Sequence, residues 1–168
     1  MQKTININDR NYPGIPNSPA IVICLDGSQK EYLEEASRFN LTPQLDKIIS
    51  EGSNKVTSTN DPTAHGEIVA IREACKKLNN FNLDGCTIFS TAEPCPMCLS
   101  AIYWARINEI YYANTRDDAR KIDFDDSLIY LELQKNIDKR KIPMTQMMRD
   151  EALKAFELWD KKVDKVKY

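Results

Sequence analysis

The chain opens without an apolar period. Residues 1–19 carry Pro13, Pro16 and Pro19 and no recurring hydrophobic spacing, so they predict irregular structure. The first apolar run, AIVICL at residues 20–25, ends in Asp26-Gly27. A short continuous run closed by a turn pair predicts a buried strand. The spacing then turns helical: in SQKEYLEEASRF, Tyr32, Leu33, Ala36 and Phe39 share a face, and Ser28 with Glu31 makes a capping box. TPQLDKII, residues 42–49, predicts a helical turn, or a helix giving way to a strand.

From residue 53 the pattern changes. SNKVTSTNDPT reads as strand and then loop. AHGEIVAIREACKKL predicts a helix with Ile68, Ile71 and Leu78 inward. GCTIFST, residues 85–91, predicts a strand of β-branched and aromatic residues. EPCPMCLSAIYWAR predicts a loop entering a helix, with Pro96 at the first turn, where proline is tolerated. NEIYYAN reads as a further strand, residues 115–133 as helix and loop, and IPMTQMM as a strand. The C-terminal DEALKAFELWDKKVDKVK predicts an amphipathic helix with Leu153, Phe156 and Trp159 inward. Strands alternating with helices predict an α/β layer containing parallel strands.

Composition narrows the class. The 168 residues are 42% hydrophobic and 29% charged, which suits one soluble domain with its own core. A net charge of −2 gives no case for an electrostatic nucleic-acid binder, though it leaves a local basic patch open. The longest apolar run is too short to span a bilayer. The N-terminal MQKTININDR lacks the apolar stretch of a signal peptide, so a cytoplasmic location is expected. The five cysteines, Cys24, Cys75, Cys86, Cys95 and Cys98, are odd in number; in a cytoplasmic chain that favours metal or catalytic thiolates over disulfides.

Two short motifs carry chemistry. Cys95 and Cys98 form a Cys-x-x-Cys pair, which alone suits redox, zinc or chance. His65, the one histidine, lies about thirty residues upstream in His65-Gly66-Glu67. A lone histidine is more often an ordinary side chain than a ligand. Together the motifs offer one nitrogen and two sulfurs. Structural zinc sites close with four protein ligands, whereas catalytic ones keep a position open for water. Cys75 lies ten positions along the predicted helix from His65, about 15 Å away, and Cys86 starts a strand; both read as small core residues. His65 and the cysteine pair fall at predicted helix starts, where N–H groups favour thiolates. Both lie at the carboxyl edge expected of a parallel sheet. Glu67 is placed to move protons without ligating the metal.

His-x-Glu followed by Pro-Cys-x-x-Cys resembles the signature of the zinc nucleobase deaminases. NDPTAHGEIVAIREACK, EPCPMCLSAIYWARI, FDDSLIY and the terminal Tyr resemble the bacterial guanine deaminases over residues 47–168. The tRNA adenosine deaminases share parts of the first two motifs. The resemblance implies a three-layer α/β/α cytidine-deaminase-like fold with a mixed central sheet. It also implies one Zn2+ held by His65, Cys95 and Cys98, with Glu67 as proton shuttle. Asn54, Asp126, Trp104 and Tyr168 would contact a purine base, and the C-terminal segment would cross to a partner in a swapped homodimer. Without the resemblance, Asp126 reads as a helix cap, Trp104 as core and Tyr168 as a frayed terminus. The activity implied is hydrolysis of guanine to xanthine and ammonia. The alternatives are another nucleobase deaminase, acting for example on tRNA adenosine, or an inactive zinc-binding fusion.

Two departures stand out. Gly66 occupies a position where the family usually has alanine. Residues 1–46 also lack the family's opening helix and glycine-rich strand, and resemble instead the start of phosphonoacetate hydrolase. There Asp26 would be a metal ligand and Thr59 a nucleophile. That two-metal site needs several histidines, and a chain with one excludes it. For Asp26, a turn role is favoured. Residues 1–46 are thus expected to be an atypical segment joined to a deaminase domain of residues 47–168, with AIVICL standing in for the missing first strand.

Overall fold

The computed structural model describes residues 4–7, 10–13 and 20–23 as backbone strands, together with residues 48–167. The chain divides into two compact units, Met1–Phe124 and Asp125–Tyr168.

In the first unit, β1 (Thr4–Ile7) and β2 (Arg10–Pro13) form an antiparallel pair with Ile7 opposite Arg10. The sequence predicts irregular structure here. Only Asn8 and Asp9 separate the strands, and residues of this type favour tight hairpin turns.

The main described sheet has the order β4-β3-β5-β6, with β3 Ala20–Ile23, β4 Ile48–Gly52, β5 Thr87–Ala92 and β6 Glu109–Asn114. β3 lies between β4 and β5, with Ala20 opposite both Ile48 and Thr87. Residues 20–23 of the predicted strand therefore belong to this sheet. Where the resemblance implies a mixed sheet, all four described strands run parallel. The connection explains the direction. A two-residue hairpin joins antiparallel neighbours, whereas a parallel pair needs a crossover of a dozen or more residues, and residues 24–47 supply that length. The helix predicted over residues 28–39 and the turn at 42–47 lie outside the described residues, as do Cys24 and Asp26.

The helix predicted after residue 64 is α2 (Gly66–Leu78), preceded by a four-residue helix α1 (Val56–Thr59). The sequence predicts strand and loop at α1, because valine and threonine disfavour helix. Side chains tip the balance. Asn54 Oδ1 accepts from the Val56 N–H at 2.9 Å, and the Ser58 and Thr59 hydroxyls donate to the Lys55 carbonyl. Thr59 thus makes an ordinary helical back-bond.

α2 lies against β4 and β3 and touches α3 (Pro96–Trp104). Glu67 opens α2 and Lys76 and Lys77 close it, matching the helix dipole at both ends. It ends on Asn79 in the left-handed region, where the Asn80 N–H returns to the Cys75 carbonyl.

The core joins Ala70 and Ala74 of α2, Ile88 of β5, Ile102 of α3, and Leu83, Cys86 and Ala105. Fully burying Ile88 or Ile102 stabilises the fold by roughly 1.5–3 kcal/mol each. Ile68 is buried and Ile71 packs on the core as predicted, but Leu78, on the last turn, is exposed. α4 (Arg116–Arg120) is held by a reciprocal capping box between Thr115 and Asp118.

The second unit holds α5 (Ser127–Gln134), a 3-10 turn (Ile137–Lys139) and α6 (Arg149–Lys161). Residues 142–148, predicted as a strand, form none; Pro143 lacks the N–H a ladder needs. α6 is amphipathic as predicted, yet Phe156 and Trp159 are exposed. Neither α5 nor α6 has a buried residue. No described helix is long and apolar enough to cross a membrane.

Candidate active site

The site is assembled at two helix starts. His65 is the residue before α2 and Cys95 the residue before α3, both with extended backbone. Pro96 takes the first position of α3, its fixed φ suited to that place. β5 ends at Ala92, so Glu93-Pro94-Cys95 turns off the carboxyl end of a parallel strand directly into α3.

The turn that delivers His65 is fixed locally. Asp61 Oδ1 accepts from the Thr63 N–H at 2.8 Å and from its hydroxyl at 2.6 Å. The Thr63 hydroxyl and backbone N–H hold the Asp61 carboxyl below its usual range, with Arg72 adding to them. The Ala64 carbonyl accepts from Lys55 N–H, tying the turn back to α1.

His65 Nδ1 lies 3.6 Å from the sulfur of Cys95 and 3.6 Å from that of Cys98. The three donor atoms all lie within 4.8 Å of one another. A tetrahedral zinc with bonds of about 2.3 Å to sulfur and about 2.05 Å to nitrogen separates such donors by about 3.6 Å. The donor set and its spacing therefore fit zinc. Among the described residues no fourth side chain joins the cluster. Cys75 and Cys86 stand apart, Cys86 in the core and Cys75 against it, and burial pushes both thiols up.

The cysteine pair shares its charge unequally. The adjacent Cys98 side chain holds Cys95 down at about 6 against the opposing effect of burial. The Cys98 and Met97 backbone N–H groups and the His65 ring act in the same direction. The Cys95 thiolate, burial and the nearby Glu67 carboxylate push Cys98 up.

Glu67, in the first turn of α2, is 5% exposed. Its Oε2 accepts from the Cys98 thiol at 3.4 Å and its Oε1 from the Ser90 hydroxyl at 3.3 Å. A buried carboxylate beside the three donors that would hold zinc is placed to carry a proton to and from a reacting group. Metal ligation requires both cysteines as thiolates, so the Cys98 donation to Glu67 belongs to the metal-free site.

Residues 41–114 match the family described as the cytidine and deoxycytidylate deaminase zinc-binding region. Guanine deaminase from Bacillus subtilis is 49% identical over 121 residues, covering 72% of this chain and 78% of that protein. The chain belongs to the zinc-dependent cytidine and deoxycytidylate deaminase family. A solved X-ray structure of guanine deaminase from Bacillus subtilis superposes with a TM-score of 0.70, covering 72% of this chain and 77% of that one. The tRNA-specific adenosine deaminase of Buchnera aphidicola is 40% identical over 109 residues, 65% of this chain and 70% of that protein. The cofactor of this deaminase domain is zinc, and His65, Cys95 and Cys98 are the donors that fit it.

The other predicted residues are distributed more widely. Asn54 is half-buried, and its carbonyl oxygen is used by the Val56 N–H. Trp104 ends α3 and is 65% exposed rather than part of the core. Asp126 is the residue before α5 but makes no side-chain capping bond; Asp125 accepts from the Ser127 N–H instead. Tyr168 lies outside the described residues. Sequence reasoning missed Ser90. Its signal is a hydroxyl in the middle of TIFSTA, where an apolar side chain would suit a buried strand better.

Proposed function

We propose that the protein hydrolyses guanine to xanthine and ammonia. The observation that carries this is the buried Glu67 carboxylate set against a three-donor His65, Cys95 and Cys98 cluster. The identity to a guanine deaminase over most of the chain supports guanine as the base. When bound, zinc supplies Lewis-acid activation of water. Glu67 takes a proton from the attacking water and later delivers it to the departing amine. A carbon–oxygen bond forms at the ring carbon bearing the amino group, the carbon–nitrogen bond breaks, and ammonia leaves. Low exposure of Glu67 limits competing exchange with bulk water.

The resemblance to the guanine deaminases leads us to propose Asn54, Trp104, Asp126 and Tyr168 as contacts of the purine base. Guanine presents N1–H and its 2-amino group side by side, a donor pair that suits a carboxylate such as Asp126. We further assign a homodimer. Helices α5 and α6 expose Leu128, Leu131, Phe156, Leu158 and Trp159 in the single chain, and a partner copy would cover such faces. Light scattering behind size exclusion reads the oligomeric state directly.

The deciding assay is ammonia release from guanine, cytosine, adenine and an adenosine-containing tRNA loop. Release from guanine alone supports the assignment. Release from the tRNA loop alone transfers it to the second reading, which the 40% identity to a tRNA-specific adenosine deaminase favours. Stoichiometric zinc without turnover on any base overturns both.

A further inference from the structure

Glu67 has to present its carboxylate to the reacting atoms in one orientation. Among the described residues two side chains donate hydrogen bonds to it: Cys98 to Oε2 and Ser90 to Oε1. Cys98 is also a zinc donor and cannot serve both roles in the loaded site. Ser90 ligates nothing. It sits in the middle of β5, 6% exposed, on a strand paired on both sides, with Val22–Phe89 to one side and Ser90–Tyr112 to the other. Its backbone is thus fixed by the sheet, while Glu67 rides on a helix packed against that sheet.

We propose that Ser90 is a positioning residue for the deamination step: its hydroxyl, fixed by the central sheet, pins Glu67 Oε1 and leaves Oε2 turned toward the metal donors. A serine in this buried strand has a desolvation cost that a small apolar residue would not have. The hydroxyl's donation to Glu67, at 3.3 Å, offsets part of that cost by giving the buried group a charged partner. The role in turnover rests on the guanine reading above; the orientation of the carboxylate does not.

Threonine and valine are nearly isosteric and differ in the hydroxyl, so Ser90→Thr and Ser90→Val separate the bond from the packing. Both are tested as full-length, zinc-loaded protein. For Ser90→Val, kcat on guanine is expected to fall about tenfold while KM stays within about twofold, because the lost interaction acts on the shuttle rather than on base binding. Ser90→Thr is expected to restore kcat to within about twofold of the parent. Zinc content remains stoichiometric in both. Should Ser90→Val not fold, Ser90→Ala, which removes only the oxygen, takes its place. Equal kcat for Ser90→Val and the parent, or an equal loss in Ser90→Thr and Ser90→Val, would overturn the proposal. A crystal structure of zinc-loaded Ser90→Val supplies the second readout. Rotation of the Glu67 carboxylate away from its place is expected; an unmoved carboxylate rejects the role. If the parent releases no ammonia from guanine, the guanine reading fails, and the crystallographic comparison still decides the role of Ser90.

Discussion

Gly52 has no side chain because the carbonyl oxygen of Gly66 occupies the space. A Cβ at Gly52 would overlap that oxygen and lie 2.5 Å from the Ala70 nitrogen and 3.0 Å from the Ala70 Cβ. The end of β4 and the start of α2 are therefore in direct backbone contact, one residue from His65 and one from Glu67. Next to it, the buried Ser50 hydroxyl donates to the Ala70 carbonyl at 2.8 Å, pinning the same helix to the same strand.

Gly52→Ala forces the two backbones apart. Overpacking of this kind costs about 1–3 kcal/mol, and the obstructing atoms are backbone, which yields least. We expect a lower denaturant midpoint together with weaker zinc retention, since the displaced helix carries Glu67 and starts at His65. Denaturant unfolding and metal analysis check the two effects. An unchanged midpoint would show that α2 can shift freely, contrary to the packing described.

Glu67→Gln keeps the shape and removes the base. Zinc content should stay at one per chain. The rate of ammonia release should fall by about 10²–10⁴-fold, the range for losing a positioned acid–base group. A variant turning over at the parent rate would remove Glu67 from the mechanism.

Cys95→Ser and Cys98→Ala should lose zinc, while Cys75→Ala should retain it, because Cys75 lies outside the donor cluster. Metal analysis after dialysis against a weak chelator distinguishes them. Zinc loss from Cys75→Ala with the fold intact would require a different ligand set.

The capping box of α4 carries a pH signature. The Thr115 hydroxyl first, then the Lys121 ammonium at 2.9 Å, hold the Asp118 carboxyl down at about 2. The folded value is depressed, so the capping contribution is complete above the unfolded value of about 3.9. It fades as pH falls toward about 2. A carboxyl titration followed by NMR should place the midpoint there in the parent and higher in Thr115→Ala. A midpoint near the unfolded value in the parent would contradict the capping geometry.

The metal donors are readable in the chain because their geometry is local. Each ligand group starts a helix, so a few residues of sequence specify its backbone, and the sheet needs only to bring two such starts together. The strand at residues 20–23 is readable as an apolar run, but its direction is not, since direction depends on the length of the connection to the next strand. The short helix at Val56–Thr59 is hidden because side-chain hydrogen bonds from Asn54, Ser58 and Thr59 outweigh poor propensity. Periodicity rightly places Phe156 and Trp159 on one helical face. Their burial is not inferable from that face, because nothing in a single chain's periodicity says whether the cover is its own core or another molecule. Ser90 escapes notice because a single serine in a strand carries no spacing signal, and only the fold brings it to Glu67.

The position of β3 also has a cost in time. Ala20–Ile23 leaves the ribosome long before Thr87–Ala92, yet it must end between that strand and Ile48–Gly52. Until Thr87–Phe89 is synthesised, β3 lacks the second of its partners among the described strands, and that edge stays open. Pairings so distant in sequence form slowly, and an edge left waiting is the surface on which nascent chains associate wrongly. The strand that completes the finished sheet is thus the one that waits longest for its second partner.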